Sequence, residues 1–160
     1  MAIEVTIKQT EPRTVAFIAM RGSYDQIGTA FPRLYRWLAQ KGYGFVGPPT
    51  GVYFNSPKDV AKEELTWELQ CPIMNNVSLC KPDASGCGIK HVDSIEVATA
   101  IHIGPFNKVG ATYEMLSEWV NSNGYCVAGP SQEVYLSDPA ITPEAERITE
   151  VRLPIKRTGH

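Results

Sequence analysis

Apolar residues fall at helical spacing twice in this chain, at Ile27, Phe31, Leu34 and Leu38 and again at Val109, Tyr113, Leu116 and Val120. The spacing predicts helices over Tyr24 to Lys41 and Phe106 to Asn123, each stopped by a glycine, Gly42 and Gly124. Shorter apolar runs predict strands. Before the first helix these are Glu4 to Lys8 and Thr14 to Arg21, and after it Gly51 to Asn55 and Leu65 to Ile73. Around the second helix they are Cys87 to His91, Glu96 to Ile103, Glu133 to Ser137 and Ile148 to Ile155. Gly47-Pro48-Pro49 and Gly129-Pro130 punctuate turns.

The two halves are one pattern written twice. An offset of 82 carries Gly22 to Gly104, Leu34 to Leu116, Trp37 to Trp119, Tyr53 to Tyr135, Glu68 to Glu150 and Pro72 to Pro154 without a gap. Two copies are too few for a solenoid, which needs at least about three. The expectation is therefore a single domain over 1–160 with internal repeats 1–73 and 87–155 and a polar linker at 74–86. Each copy reads strand–strand–helix–strand–strand. That predicts an α+β fold, a mostly antiparallel sheet with both helices on one face and one cleft near a pseudo-two-fold axis.

Composition narrows the function classes. A net charge of −2 with no basic run gives no electrostatic footprint for nucleic acid. No apolar stretch approaches the roughly 20 residues needed to cross a bilayer. The N-terminus reads as a strand and not as a secretory signal, so a cytoplasmic protein is expected. The four cysteines and three histidines lack metal-site spacing, so no metal, no cofactor and reduced thiols are expected.

Strand alternation separates core from candidate site. Leu69, Cys71 and Ile73 share a face, as do Val151, Leu153 and Ile155, and these apolar faces should meet the helices. Glu68 and Glu150 then point away. Tyr53 and Tyr135 alternate with Val52, Phe54, Val134 and Leu136, and are expected to join the glutamates. Ala16, Ala98 and Ala100 leave room above the sheet, with Met20 and His102 beside them. The candidate ligand-binding residues are thus Glu150, Tyr135, Tyr53, Glu68, Trp119, His102 and Met20. Aromatic faces with carboxylates suit flat cationic guests. A carboxylate in such a cleft should have a raised pKa unless a cation binds it.

The strings RGSYDQIGTAFPRLYRWLAQKGYGFVGPPTGVYFNSP and HIGPFNKVGATYEMLSEWVNSNGYCVAGPSQEVYLSDP resemble the GyrI-like (DNA gyrase inhibitory protein-like) small-molecule-binding domain, as do ELTWELQCPI and ERITEVRLPI. The resemblance runs from about Arg13 to Ile155. It implies tandem strand–helix–strand–strand modules and an aromatic cleft with a carboxylate from a closing strand, matching Glu150 with Glu68 as its repeat mate. Many relatives are effector-binding halves of transcription activators fused to a helix-turn-helix domain. This chain starts at the first strand, so it is expected to stand alone. Three functions follow from the resemblance. The first is binding of small aromatic or cationic molecules, of the multidrug-binding or sensing type. The second is a hydrolase adding water to electrophilic small molecules, with Glu150 and Tyr135 catalytic. The third is a protein-interaction module such as a gyrase inhibitor.

Overall fold

The computed structural model describes residues 4–138 and 141–158. Among these residues nine strands and two α-helices follow one another as β1 (Thr6–Gln9), β2 (Arg13–Arg21), α1 (Ile27–Lys41), β3 (Thr50–Tyr53), β4 (Thr66–Ile73), β5 (Cys87–Val92), β6 (Glu96–Ile103), α2 (Gly110–Ser122), β7 (Tyr125–Val127), β8 (Ser131–Tyr135) and β9 (Ile148–Arg157). The fold is α+β, and its strands pair antiparallel. Each expected helix opens with a 3₁₀ turn, Tyr24–Gln26 or Phe106–Lys108, so the α-helices begin three or four residues later than periodicity suggests.

The chain divides into two compact units. The first is Pro12–Asp93; the second combines the chain up to Glu11 with the chain from Ser94 onward. In the first unit the strands lie in the order β5-β2-β4-β3, and in the second β1-β6-β9-β8, with β7 also pairing β9. The spatial boundary cuts across the sequence repeat. β1 belongs to the first copy by sequence but pairs with β6 of the second. β5 opens the second copy by sequence but pairs with β2 of the first.

One helix covers one face of each sheet. Ala30, Leu34, Trp37 and Leu38 form the buried stripe of α1 and pack on Ile18, Trp67, Leu69 and Cys71. Leu116 and Val120 of α2 pack on Ala98, Ala100, Val151 and Leu153. Gly42 ends α1 at φ 77°, and its N–H closes on the Ala39 and Leu38 carbonyls, a left-handed cap that favours glycine. β7 was too short to leave a sequence pattern. In the first copy it has only an isolated bridge, Phe45 to Ile73, as its counterpart.

The linker is clipped onto the first unit. Asp83 accepts from the Trp37 indole N–H at 2.7 Å, and the Arg33 guanidinium donates to the Ser85 carbonyl at 2.8 Å. Hydrogen bonds from Ser85 and Trp37 hold the Asp83 carboxyl at about 2. All four cysteines are free thiols, and burial pushes Cys71 up to about 12. The linker crosses so close to β5 that a Cβ on Gly88 would lie 2.7 Å from the Cys80 carbonyl oxygen and 3.0 Å from the Pro82 nitrogen. Both obstacles are backbone. Gly88→Ala is therefore expected to cost about 1–3 kcal/mol, the range for overpacking, read as a lowered urea midpoint at unchanged slope.

Candidate ligand site

Register decides which side chains meet. Residues directly opposite in an antiparallel pair project to the same face. Tyr53 stands opposite Trp67, and Tyr135 opposite Thr149. Both tyrosines therefore project to the helix side, where Tyr53 is buried in the core under α1. Met20, opposite Trp67, and His102, opposite Thr149, project there too. Val52 and Val134 stand opposite Glu68 and Glu150 on the helix-free side. The expected gathering of acids and phenols on one face does not occur. Alternation along each strand follows the sequence pattern, but the phase between neighbouring strands is set by their register. The alanines taken as room above the sheet are instead where the helices approach it. Trp119 lies half-buried on α2, stacked on Tyr125 at 6.2 Å between ring centroids.

The two helix-free glutamates already have cations. Glu150 accepts from Lys8 Nζ at 2.7 Å and from Arg152 Nε at 2.5 Å. Glu68 pairs with Lys90 Nζ at 2.6 Å and accepts from the Gln70 amide at 2.6 Å. Lys8 and Lys90 are 82 residues apart, so the swapped strands β1 and β5 deliver equivalent lysines to equivalent acids. Lys90 also sits 4.4 Å from the centroid of the Phe17 ring. Burial alone would raise the Glu150 pKa, but Lys8 and Arg152 outweigh it and the carboxyl lies below its ordinary value. The cations that the expected rise made an exception for are the protein's own, Lys8 and Arg152. Glu150 and Tyr135 lie on opposite faces of the sheet and cannot act together on one guest.

A different carboxylate has the properties sought. Glu133 on β8 projects with Tyr135 to the helix side of the second unit. It accepts from the Tyr113 hydroxyl at 2.8 Å and from the Tyr135 hydroxyl at 3.2 Å. No lysine or arginine lies within ion-pair distance of it among the described residues. Burial raises its pKa, against the opposing effect of the two phenols and His102. His102 is fixed by two contacts, Nε2 with the Pro105 carbonyl at 2.9 Å and Nδ1 with the Thr112 hydroxyl at 3.3 Å. Phe106 meets the Tyr135 ring edge-on at 5.5 Å.

The repeat explains why Glu133 was missed. Searching for residues shared by both copies discards those that differ, and the counterpart of Glu133 is Gly51. The usable signal was the departures. At the same offset Met20 becomes His102, Phe31 becomes Tyr113, Leu65 becomes Arg147 and Trp67 becomes Thr149. All of these exchanges map to the neighbourhood of Glu133. In the first unit the same place is a closed aromatic core, with Tyr24 edge-on to Tyr53 at 5.2 Å and to Trp67 at 5.9 Å. One copy kept a packed core, and the other carries a half-buried acid among phenols.

Duplicated α+β units with an acid set in an aromatic environment define a small-molecule-binding domain. The chain belongs to the GyrI-like small molecule binding domain family, which matches residues 3–156. Solved structures agree on the fold. The EcmrR C-terminal domain superposes with TM-score 0.83 at 18% identity, covering 98% of this chain and 99% of that one. A hydrolase from Listeria innocua gives 0.73 at 16% identity over 97% and 93%. SAV2435 bound to tetraphenylphosphonium gives 0.59 at 14% over 96% and 94%. No curated protein matches the sequence. No helix among the described residues is long and apolar enough to cross a membrane.

Proposed function

We propose that this chain binds small aromatic molecules bearing a positive charge at the Glu133 cluster of its second unit. One observation carries the reading: a half-buried carboxylate held by two phenols, with no lysine or arginine of its own among the described residues. A guest cation supplies the missing charge, and the Tyr113, Tyr135 and Phe106 rings supply cation–π and apolar contact. Glu150 and Glu68 are poorer counter-ions, because a guest would first have to displace Lys8 and Arg152, or Lys90. Binding of tetraphenylphosphonium by the structural neighbour SAV2435 supports a lipophilic cation as the ligand class. Calorimetric titration with tetraphenylphosphonium tests it. Glu133→Gln is expected to weaken binding about tenfold to a hundredfold, the worth of a charged contact. Glu150→Gln leaves it near wild type. Equal affinity in the Glu133→Gln protein would end the assignment.

The raised pKa of Glu133 favours a second reading, proton transfer to or from a bound electrophile beside two phenols. The hydrolase role first expected of Glu150 would then fall to Glu133. Water addition to candidate electrophiles, followed by mass spectrometry and lost in Glu133→Gln, separates turnover from binding alone.

A further inference from the structure

Glu133 has an opposite in the same unit. Arg147, next to the start of β9, places its guanidinium carbon 5.1 Å from the centroid of the Phe106 ring. Phe106 touches Tyr135, and Tyr135 reaches Glu133. A cation and a carboxylate thus stand at the two ends of an aromatic pair without pairing with each other. The ionic contact Arg147 makes among the described residues is to the exposed Glu144, at 3.9 Å. Arg147 Nε is buried and has no hydrogen-bond partner among the described residues. The same holds for Thr149 Oγ1, which is fully buried and stands between Tyr135 and His102 in the strand register.

These orphaned groups are costly, since a buried donor without an acceptor loses its desolvation energy. The first copy avoids the cost with Leu65 and Trp67 at the same positions. An arginine here would ordinarily be satisfied by the carboxylate in its own cluster. Held apart, the two leave an arrangement that a molecule bearing both signs completes.

We propose that the site selects aromatic molecules carrying both an ammonium and a carboxylate or carbonyl acceptor, the ammonium meeting Glu133 and the acceptor meeting the Arg147 Nε–H. This rests on the Glu133 cluster being the ligand site. Arg147 is then the specificity-determining residue. Its charge disfavours a simple cation and favours a zwitterion, because its buried Nε–H has no acceptor among the described residues until the guest brings one, and the exposed Glu144 reaches only a terminal guanidinium nitrogen at 3.9 Å. The Thr149 hydroxyl offers a further contact between the two ends.

4-(Aminomethyl)benzoate and benzylamine test this, since they share a ring and an ammonium and differ by one carboxylate, held across the ring from the ammonium. The full chain is expected to bind 4-(aminomethyl)benzoate about tenfold or more tightly than benzylamine. Arg147→Met keeps a stem over Phe106 and should bring the two affinities level or invert them. Glu133→Gln should weaken both. Three results overturn the proposal: a wild-type preference for benzylamine, a preference for 4-(aminomethyl)benzoate that survives in Arg147→Met, and binding of tetraphenylphosphonium with neither amine bound. Each leaves the Glu133 reading standing, provided Glu133→Gln still weakens the cation that does bind. If Glu133→Gln weakens no ligand, the site itself is wrong. Should the Met variant lose its near-ultraviolet dichroism, Arg147→Gln carries the same comparison.

Discussion

Affinity for a permanently charged aromatic cation is expected to fall about tenfold per pH unit once the pH drops below the Glu133 pKa, and to level off above it. The guest needs the carboxylate ionised, and burial makes this one hold its proton above the ordinary carboxylate range. A quaternary ligand is the right probe because it does not titrate. Calorimetry from acid to neutral pH gives the curve, and Glu133→Gln should flatten it. A profile unchanged by Glu133→Gln would show that another group sets it.

The same shift acts on stability with a definite sign. The folded chain binds the Glu133 proton more tightly than the unfolded chain does. The stabilisation from this proton is therefore complete below the unfolded pKa and is lost as pH rises through the raised folded one. Glu150 acts in the opposite direction. Its lowered pKa contributes stability above the unfolded value, and that contribution is lost as pH falls through the folded value.

Removing Lys90 should be among the most damaging single changes outside the cores. Glu68 is 5% exposed, and without Lys90 it keeps only the neutral Gln70 amide. Stranding a buried charge costs about 3–5 kcal/mol. For a chain of this size, Lys90→Met should lower the melting temperature by about 6 °C or more. Adding Glu68→Leu should recover most of the loss, because the double variant leaves no buried charge without a partner. The equivalent change in the second unit should cost less. Lys8→Met leaves Glu150 bonded to Arg152 at 2.5 Å, where the first unit has only Gln70. Comparable losses for Lys8→Met and Lys90→Met would contradict this account of the two triads.

Repetition made the fold legible. Helices, strands and turn glycines reported twice at one offset are two independent readings of the same unit, and hydrophobic periodicity is a local property of the chain. The acids on the helix-free side of β4 and β9 were legible for the same reason, since Glu68 and Glu150 alternate with long apolar rows. The swapped strands β1 and β5 were not, because which sheet a short strand joins is a long-range choice that leaves no mark in its own residues.

By itself, then, the sequence determined the duplicated α+β unit, the helix stops, and the in–out alternation inside each strand. Only the tertiary structure decided the phase between neighbouring strands, and with it the site. One step of register transfers a side chain to the other face. That step put Tyr135, together with Glu133, on the helix side and against Phe106, and left Glu150 to Lys8 and Arg152 on the far side of the sheet.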